Sequence, residues 1–261
     1  MWGLVQGPQS GWGSARVMGA LFVGACLLAG FLAWETRAPE PMIPLALFRA
    51  PSFAAAVTTQ FLLAATIQPA AFLTSQYFQF SRGDSPFATG LRFLPWTSVP
   101  LLIAPAAGVI FDKVGARRLV VPGLLMQGLA FAWIVQLAGT GAGYGSYVLP
   151  FLIAGTGISM ALPCVPAAAL NAVPPDSLGK AASVLSTLQL FGATIGIAIA
   201  TVVFDANGSL SGPTEVTDGF RPALAVAAGL SLVAAASALR IRPTAPARVP
   251  DLASASEIQL G

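Results

Sequence analysis

The sequence contains no histidine, only two cysteines, and charged side chains at just 9% of its positions. Without histidine, haem ligation, most zinc sites and the Ser-His and Cys-His mechanisms are excluded. Cys26 and Cys164 both lie in apolar runs, where a free cysteine behaves as a small apolar residue, so neither a disulfide nor a redox role is expected. We therefore expect a protein that is not an enzyme and that holds no metal or organic cofactor.

Long hydrophobic runs accompany this shortage of charge. Soluble domains carry a charge at roughly a quarter of their positions, whereas 56% of this chain is hydrophobic. The charge-free runs are long enough to cross a bilayer. The sequence therefore predicts an all-α integral membrane protein with about seven transmembrane helices. We label these spans A to G: 17–34, 53–80, 93–111, two helices within 119–175 on either side of a glycine-rich turn at 139–146, 181–204 and 222–239.

The basic residues predict the orientation of the spans. Short loops rich in Lys and Arg stay on the cytoplasmic side, which places the loop between spans C and D, with Lys113, Arg117 and Arg118, inside. Alternating outward from this loop puts nine of the 13 Lys and Arg residues inside and four outside. The N-terminus is then expected outside and the C-terminus inside. No clustered basic surface indicates nucleic acid, so the expected surroundings are the lipid bilayer.

The loop between spans C and D also carries a motif. Residues 108–118 read Gly-x-x-x-Asp-Lys-x-Gly-x-Arg-Arg, which resembles the cytoplasmic signature loop of the major facilitator superfamily of secondary transporters. Further motifs resemble the C-terminal half of its fourteen-helix drug:proton antiporter family. These are the proline-rich linker at 35–51, Gln-Tyr-Phe-Gln at 76–79, Ser-Pro-Phe-Ala-Thr-Gly-Leu-Arg-Phe-Leu-Pro at 85–95, and Gln-Leu-Phe-Gly-Ala-Thr-Ile-Gly at 189–196.

This resemblance implies a division of the chain. In the superfamily each bundle consists of two three-helix repeats of inverted topology, and spans B-C-D and E-F-G have that arrangement. The implied parts are an extracytoplasmic N-terminal segment (1–15), an extra central transmembrane helix (16–35), a cytoplasmic interfacial linker (36–52), a six-helix C-terminal transporter bundle (53–240) and a disordered cytoplasmic tail (241–261).

The resemblance also implies an activity. It is proton-coupled export of drug-like or hydrophobic small molecules across the inner (plasma) membrane by alternating access, with the proton gradient as energy source and substrate held between two bundles. The N-terminal six-helix bundle is absent from the sequence, so we expect a fragment whose missing partner is that bundle. The alternative is a non-transporting membrane fragment or assembly partner that retains the fold.

Six residues of the signature loop are candidates for a conformational latch. A glycine at 108 lets a neighbouring helix approach, and an aspartate at 112 accepts hydrogen bonds from arginines or from a helix N-terminus. The alternative is that the basic residues only set the topology and that the aspartate is a solvated turn residue. The latch candidates are Gly108, Asp112, Lys113, Gly115, Arg117 and Arg118.

Spans B and E supply the substrate-cavity candidates. Four polar side chains of span B fall within an arc of roughly 100°, and two prolines three residues apart permit a kink in span E. Helix–helix hydrogen bonding and irregular packing are the alternatives. The spacing Gly192-x-x-x-Gly196 in span F predicts a helix-packing face instead. The cavity candidates are Gln60, Gln68, Phe72, Ser75 and Gln79 in span B, and Ser159, Met160 and Pro163 in span E.

Overall fold

The computed structural model describes residues 15–35 and 45–241; the side chains of residues 45, 46, 104–109, 112 and 113, and several in the first helix, lie outside that description. The described residues form helices and no strand. Short 3-10 turns occur at Leu45–Arg49 and Pro175–Ser177, and a π-turn at Tyr77–Ser81. The α-helices in these ranges are α1 (Ala15–Glu35), α2 (Pro51–Gln76), α3 (Pro86–Arg92), α4 (Leu94–Val114), α5 (Ala116–Leu137), α6 (Gly145–Ala161), α7 (Cys164–Leu170), α8 (Leu178–Asn207) and α9 (Pro213–Ala238).

The predicted all-α membrane class is confirmed. Within the described residues, five segments combine the length and the hydropathy of a membrane span: Pro51–Ser81, Ala116–Leu137, Gly145–Leu170, Pro175–Asn207 and Pro213–Ala238. The helices α1 and α4 lie at the positions of predicted spans A and C. Each has 21 residues. A helix of that length measures about 32 Å, which matches the hydrocarbon core of a bilayer.

Two boundaries depart from the simple pattern of charge-free runs. Span G begins at Pro213 and not at residue 222, because its first turns carry the exposed side chains of Glu215, Asp218 and Arg221. Span E is interrupted after Ala161 and resumes at Cys164 as α7. The second departure coincides with Pro163, the first of the two prolines at which the sequence permits a kink.

The helix contacts divide the bundle into two equivalent units. Helix α2 packs along α8, and α6 packs along α4. Likewise, α5 contacts α6 while α9 contacts α2, and α5 and α9 contact each other. Spans B, C and D are α2, α4 and α5, and spans E, F and G are α6, α8 and α9. Exchanging the two sets turns the α2–α8 contact into α6–α4 and the α5–α6 contact into α9–α2, and it leaves α5–α9 unchanged. This is the pattern expected of two three-helix repeats.

Glycines allow the α2–α8 pair to approach at backbone distance. A Cβ added at Gly192 or Gly196 would collide with the carbonyl oxygen of Phe61 or Ala65, respectively. The Ala65 carbonyl lacks its usual helical donor, because the residue four positions later is Pro69, which has no N–H. The prediction that Gly192-x-x-x-Gly196 forms a packing face is therefore confirmed.

The α4–α6 pair uses the same device. A Cβ at Gly155 of α6 would collide with the carbonyl oxygen of Trp96 in α4. Here too the residue four positions later is a proline, Pro100, so the carbonyl lacks its helical donor. In both pairs, a glycine of one helix contacts a carbonyl of the other helix. A proline four residues later leaves that carbonyl without its helical donor.

Apolar clusters fill the two ends of the bundle. We call the end with the α4–α5 turn the inner end and the end with the α5–α6 turn the outer end, following the predicted topology. The inner cluster contains Phe53, Leu124 and Val165, and the outer cluster contains eight buried aromatic rings. Those rings belong to Tyr77, Phe78, Trp96, Phe131, Tyr147, Phe151, Phe204 and Phe220.

We predict that Gly196→Ala destabilises the protein, because the new methyl group overlaps the Ala65 carbonyl and forces α2 and α8 apart. Overpacking of this kind costs about 1–3 kcal/mol of the free energy of unfolding. The matched control is Gly229→Ala in α9, where a Cβ meets nothing within 4 Å. Thermal midpoints in detergent, followed by size-exclusion chromatography, should fall for the first variant only. Equal midpoints would contradict the proposed close contact.

Candidate substrate face and conformational loop

One stripe of α2 remains open to the outside of the bundle. Gln68 and Phe72 are exposed, the latter by 47%, and Ser75 and Gln79 are half-buried. These four residues follow one another at helical steps of four, three and four, so they share one face. The Gln79 Nε2 donates a hydrogen bond to Ser75 Oγ at 2.8 Å. We call these four residues the open stripe.

Gln60 lies apart from the open stripe. Its position is about 80° around the helix from Gln68, and its side chain is only 2% exposed. The inner half of α2 is covered by α7 and α8, which contribute to the same apolar cluster. The Oε1 of Gln60 is buried without a hydrogen-bond partner among the described residues. The structure therefore places this predicted cavity residue in the interior of the bundle.

The three candidates of span E also separate. Ser159 is buried, and its hydroxyl donates to the Gly155 carbonyl at 2.6 Å. Met160, in the last turn of α6, and Pro163, in the break between α6 and α7, are half-buried. A helix break within the membrane is tolerated where protein or water covers the backbone groups that lose their helical hydrogen bonds. Met160 and Pro163 thus remain accessible, whereas the Ser159 hydroxyl is committed to its own helix.

A polar pair that the sequence analysis missed joins α2 to α5. Gln127 Nε2 donates to Thr66 Oγ1 at 2.8 Å, and Thr66 Oγ1 donates to the Leu63 carbonyl at 2.8 Å. Both side chains are fully buried. The Oε1 of Gln127 has no partner among the described residues. A glutamine in the middle of apolar span D was the available signal, since such a residue needs a protein partner in a membrane.

The predicted latch loop is a connection of one residue. Helix α4 ends at Val114 and α5 begins at Ala116, with Gly115 between them at φ 82° and ψ 156°. Residues with a Cβ rarely adopt this positive φ, which explains the glycine at position 115. Arg117 and Arg118 are exposed in the first turn of α5. Cations are disfavoured at a helix N-terminus, so this turn is suited to a nearby acid. The other latch candidates, Gly108, Asp112 and Lys113, lie outside the described side chains.

The acids of the described spans all lie near the ends of helices. Among these residues, Asp176 precedes α8, Asp205 lies in the last turn of α8, and Glu215 and Asp218 lie in the first turns of α9. An intramembrane carboxylate at mid-depth is the usual proton-binding group of a proton-coupled transporter. The described spans offer neutral amides, hydroxyls and aromatic rings at that depth.

A membrane bundle with two equivalent three-helix units, a broken helix and an open polar stripe has the features of a secondary-transporter bundle. The family model of the Major Facilitator Superfamily matches residues 7–197 and 53–259, in two overlapping matches. The chain therefore belongs to the Major Facilitator Superfamily.

Curated relatives refine this assignment. The chain is 31% identical over 200 residues to "Multidrug resistance protein Stp" of Mycobacterium tuberculosis. It is 29% identical over 203 residues to "Tetracenomycin C resistance and export protein" of Streptomyces glaucescens, and 31% identical over 204 residues to "Methylenomycin A resistance protein" of Streptomyces coelicolor. These matches agree with the drug antiporter type that the sequence motifs predicted. They cover 76–78% of this chain but only 37–42% of the relatives.

We expect the thermal midpoint to be unchanged when the polar atoms of Gln60 are removed and to fall when the hydroxyl of Thr66 is removed. Gln60→Leu removes a buried amide oxygen without a partner, so it should not lower the thermal midpoint of the purified chain. Thr66→Val keeps the side-chain shape but removes the acceptor for Gln127, which should cost about 0.6–1.7 kcal/mol in a membrane protein. The same thermal assay checks both variants. An equal loss for Gln60→Leu would indicate an interior hydrogen bond at Gln60 and contradict its assignment as unpartnered.

Proposed function

We propose that this chain is the C-terminal half of a proton-coupled exporter of drug-like or hydrophobic small molecules. The observation that carries the proposal is the open stripe on α2. Polar groups on a membrane helix are costly in lipid and are retained where they face protein or a water-filled cavity. In a transporter bundle, the stripe of Gln68, Phe72, Ser75 and Gln79 serves as one wall of the substrate cavity. Met160 and Pro163 add a second wall from the broken span E.

The chemistry of the stripe supports a class of substrate. Two amides and a hydroxyl supply neutral hydrogen-bond donors and acceptors, and Phe72 supplies an exposed apolar ring. No residue of the stripe carries a charge. Such a wall suits amphipathic or hydrophobic compounds. The names of the relatives, which include multidrug and antibiotic resistance and export proteins, support the same class.

The partner in this proposal is a second six-helix bundle. The span Pro175–Asn207 supports it, because its most apolar window is 28% buried whereas those of the other four long spans are 50–61% buried. Ser183, Thr187, Thr201 and Asp205 fall within an arc of about 40° on the opposite side of α8 from Gly192 and Gly196. We assign this face to contact with the second bundle. The two bundles rock about the substrate site and expose it to each side in turn.

The second bundle also supplies the proton-binding carboxylate in this proposal. The described spans carry acids only near helix ends, and proton coupling usually needs a carboxylate within the membrane. The energy source is the proton gradient, and no cofactor is required. We place the carrier in the plasma membrane with the N-terminus outside and the C-terminus inside, because short loops rich in Lys and Arg stay in the cytoplasm.

We propose that the loop around Gly115 latches one state of the complete carrier. Asp112→Asn should then impair drug efflux without lowering abundance, because it changes a conformational equilibrium and adds little to folding. A latch worth about 1–3 kcal/mol changes relative populations roughly 5- to 150-fold. The control is Asp176→Asn, at an exposed acid in the turn before α8. Normal efflux by well-expressed Asp112→Asn would reduce the loop to a topology signal.

The chain expressed alone is expected to insert in the membrane and to transport nothing. Alternating access needs a second bundle to close either end of the site. The test compares proteoliposomes that contain residues 1–261 alone with proteoliposomes in which seven upstream helices from a curated relative precede the same residues. The measurement is proton flux driven by a hydrophobic cationic dye, followed with an internal pH indicator.

Two outcomes would contradict this proposal. Dye-dependent proton flux from the chain alone, at the rate of the restored carrier, would show that one bundle suffices. Absence of flux from a restored carrier that is stable and correctly inserted would favour the alternative, a non-transporting membrane protein that retains the fold.

The variant Phe72→Ala in the restored carrier should raise the apparent KM for the dye, because it removes the exposed ring of the stripe.

A further inference from the structure

The outer end of the open stripe belongs to an unusual turn. Gln79 lies in the π-turn Tyr77–Ser81, which follows α2 directly. The turn closes where the Arg82 N–H donates to the Tyr77 carbonyl at 3.2 Å and the Asp84 N–H donates to the Phe78 carbonyl at 3.0 Å. π-turns are rare and frequently occur at functional sites. The direction in which Gln79 points is thus set by a turn that needs support from its neighbours.

Phe78 is the anchor of this π-turn. Its ring is fully buried and lies close to two guanidinium groups. The Arg92 guanidinium lies 5.6 Å from the Phe78 ring centre and 5.2 Å from that of Tyr144. The Arg82 guanidinium lies 6.0 Å from the Phe78 ring centre and 5.6 Å from that of Tyr147. Cations near ring faces at these distances attract the ring, more strongly where water is excluded.

Each arginine is also held by an oxygen. Arg82 Nη1 donates to the Ala142 carbonyl at 2.9 Å, in the α5–α6 turn. Arg92 forms an ion pair with Asp84, whose side chain is 10% exposed. Among the described residues of this cluster, Asp84 is the acid, and it is paired with Arg92. We call Phe78, Arg82, Asp84, Arg92, Tyr144 and Tyr147 the outer brace.

Tyr144 closes the outer brace on the backbone. Its hydroxyl donates to the Arg92 carbonyl at 3.0 Å. Burial raises the pKa of Tyr144, and the opposing effect of the Arg92 charge is smaller, so the phenol remains protonated and able to donate. The brace therefore joins the α5–α6 turn to the π-turn and to the end of α3, which lie about 50–60 residues earlier in the chain.

We infer that Asp84 is a positioning residue for the substrate face: through its ion pair with Arg92 it holds Phe78 and the π-turn so that Gln79 stays directed at Ser75. This inference rests on the proposed function for the meaning of the stripe. Its physical basis is the partial burial of the pair, since the side chains of Asp84 and Arg92 are 10% and 28% exposed, respectively. Removing one partner of a partly buried pair costs more than loss of a fully exposed pair, because water compensates the remaining charge less well. Without Asp84, Arg92 turns to water and Phe78 loses a neighbour.

The experiment measures the accessibility of position 79 in membranes. The whole chain carries Gln79→Cys in a background of Cys26→Ala and Cys164→Ala, and a membrane-impermeant maleimide is added from the outside. Asp84→Asn is expected to raise the initial labelling rate about 5- to 30-fold, the effect of one or two kcal/mol on a local equilibrium. Asp84→Glu should return the rate towards that of the parent. Arg92→Lys keeps the charge but loses the flat stacking surface, so it should give an intermediate rate.

Two controls separate positioning from general loosening. Asp218→Asn removes an exposed acid at the same end and should leave labelling of Gln79→Cys unchanged. Ser209→Cys, half-buried in the α8–α9 turn, should label at the same rate with Asp84 or with Asn at that position. An unchanged rate at Gln79→Cys in the Asp84→Asn protein would overturn the inference. So would an equal rise at Ser209→Cys, because it would show that the whole outer end has loosened.

A folding failure would not end the test. If Asp84→Asn does not accumulate, the double variant Asp84→Asn/Arg92→Gln removes both charges and is read in the same way. Labelling does not require transport, so it remains informative if the restored carrier is inactive. In that case faster labelling of Asp84→Asn would support the brace, and the proposed function alone would fail.

Discussion

A backbone carbonyl without its helical donor is the constraint on which this bundle depends. In a membrane no water compensates such a group, so the protein itself must. Pro69 leaves the Ala65 carbonyl without its donor, and Pro100 does the same for Trp96. Gly196 and Gly155 bring a neighbouring backbone against these two oxygens. Glycine suits the position because it has no Cβ, and its Cα–H groups form weak hydrogen bonds with carbonyl oxygens.

The open stripe follows from these close contacts. Helix α8 is drawn against the side of α2 that carries Phe61 and Ala65, and α9 contacts α2 through the hydrogen bond from Thr59 to Ser237, at 3.3 Å. What remains of the outer half of α2 is the face with Gln68 and Phe72. In the inner half α7 covers α2 as well. Gln60 lies in this covered half and is buried, whereas Gln68 and Phe72 lie beyond it and are exposed.

The sequence was sufficient for the class of protein, the order of the spans and the packing role of Gly192 and Gly196, because these depend on hydropathy and local spacing. It was not sufficient to separate Gln60 from the rest of its predicted face. Helical spacing puts Gln60 and Gln68 about 80° apart, and contacts with neighbouring helices decide that the first is buried and the second exposed. The start of span G was missed for a related reason: charged residues in the first turns of α9 face outward and do not end the helix.

The outer brace shows a second limit of periodic patterns. Its contacts, such as Arg82 with Ala142 and Arg92 with Tyr144, join residues far apart in the sequence, and no repeat or spacing relates them. Their charges were readable only as topology signals. The same charges acquire a local role once the α5–α6 turn is folded against the π-turn. Three features join the helices of this bundle: the glycine contacts along the helices, the Gln127–Thr66 hydrogen bond inside, and the brace at the outer end. At the inner end, Gly115 is the whole connection between α4 and α5, so a displacement of one helix end also displaces the other.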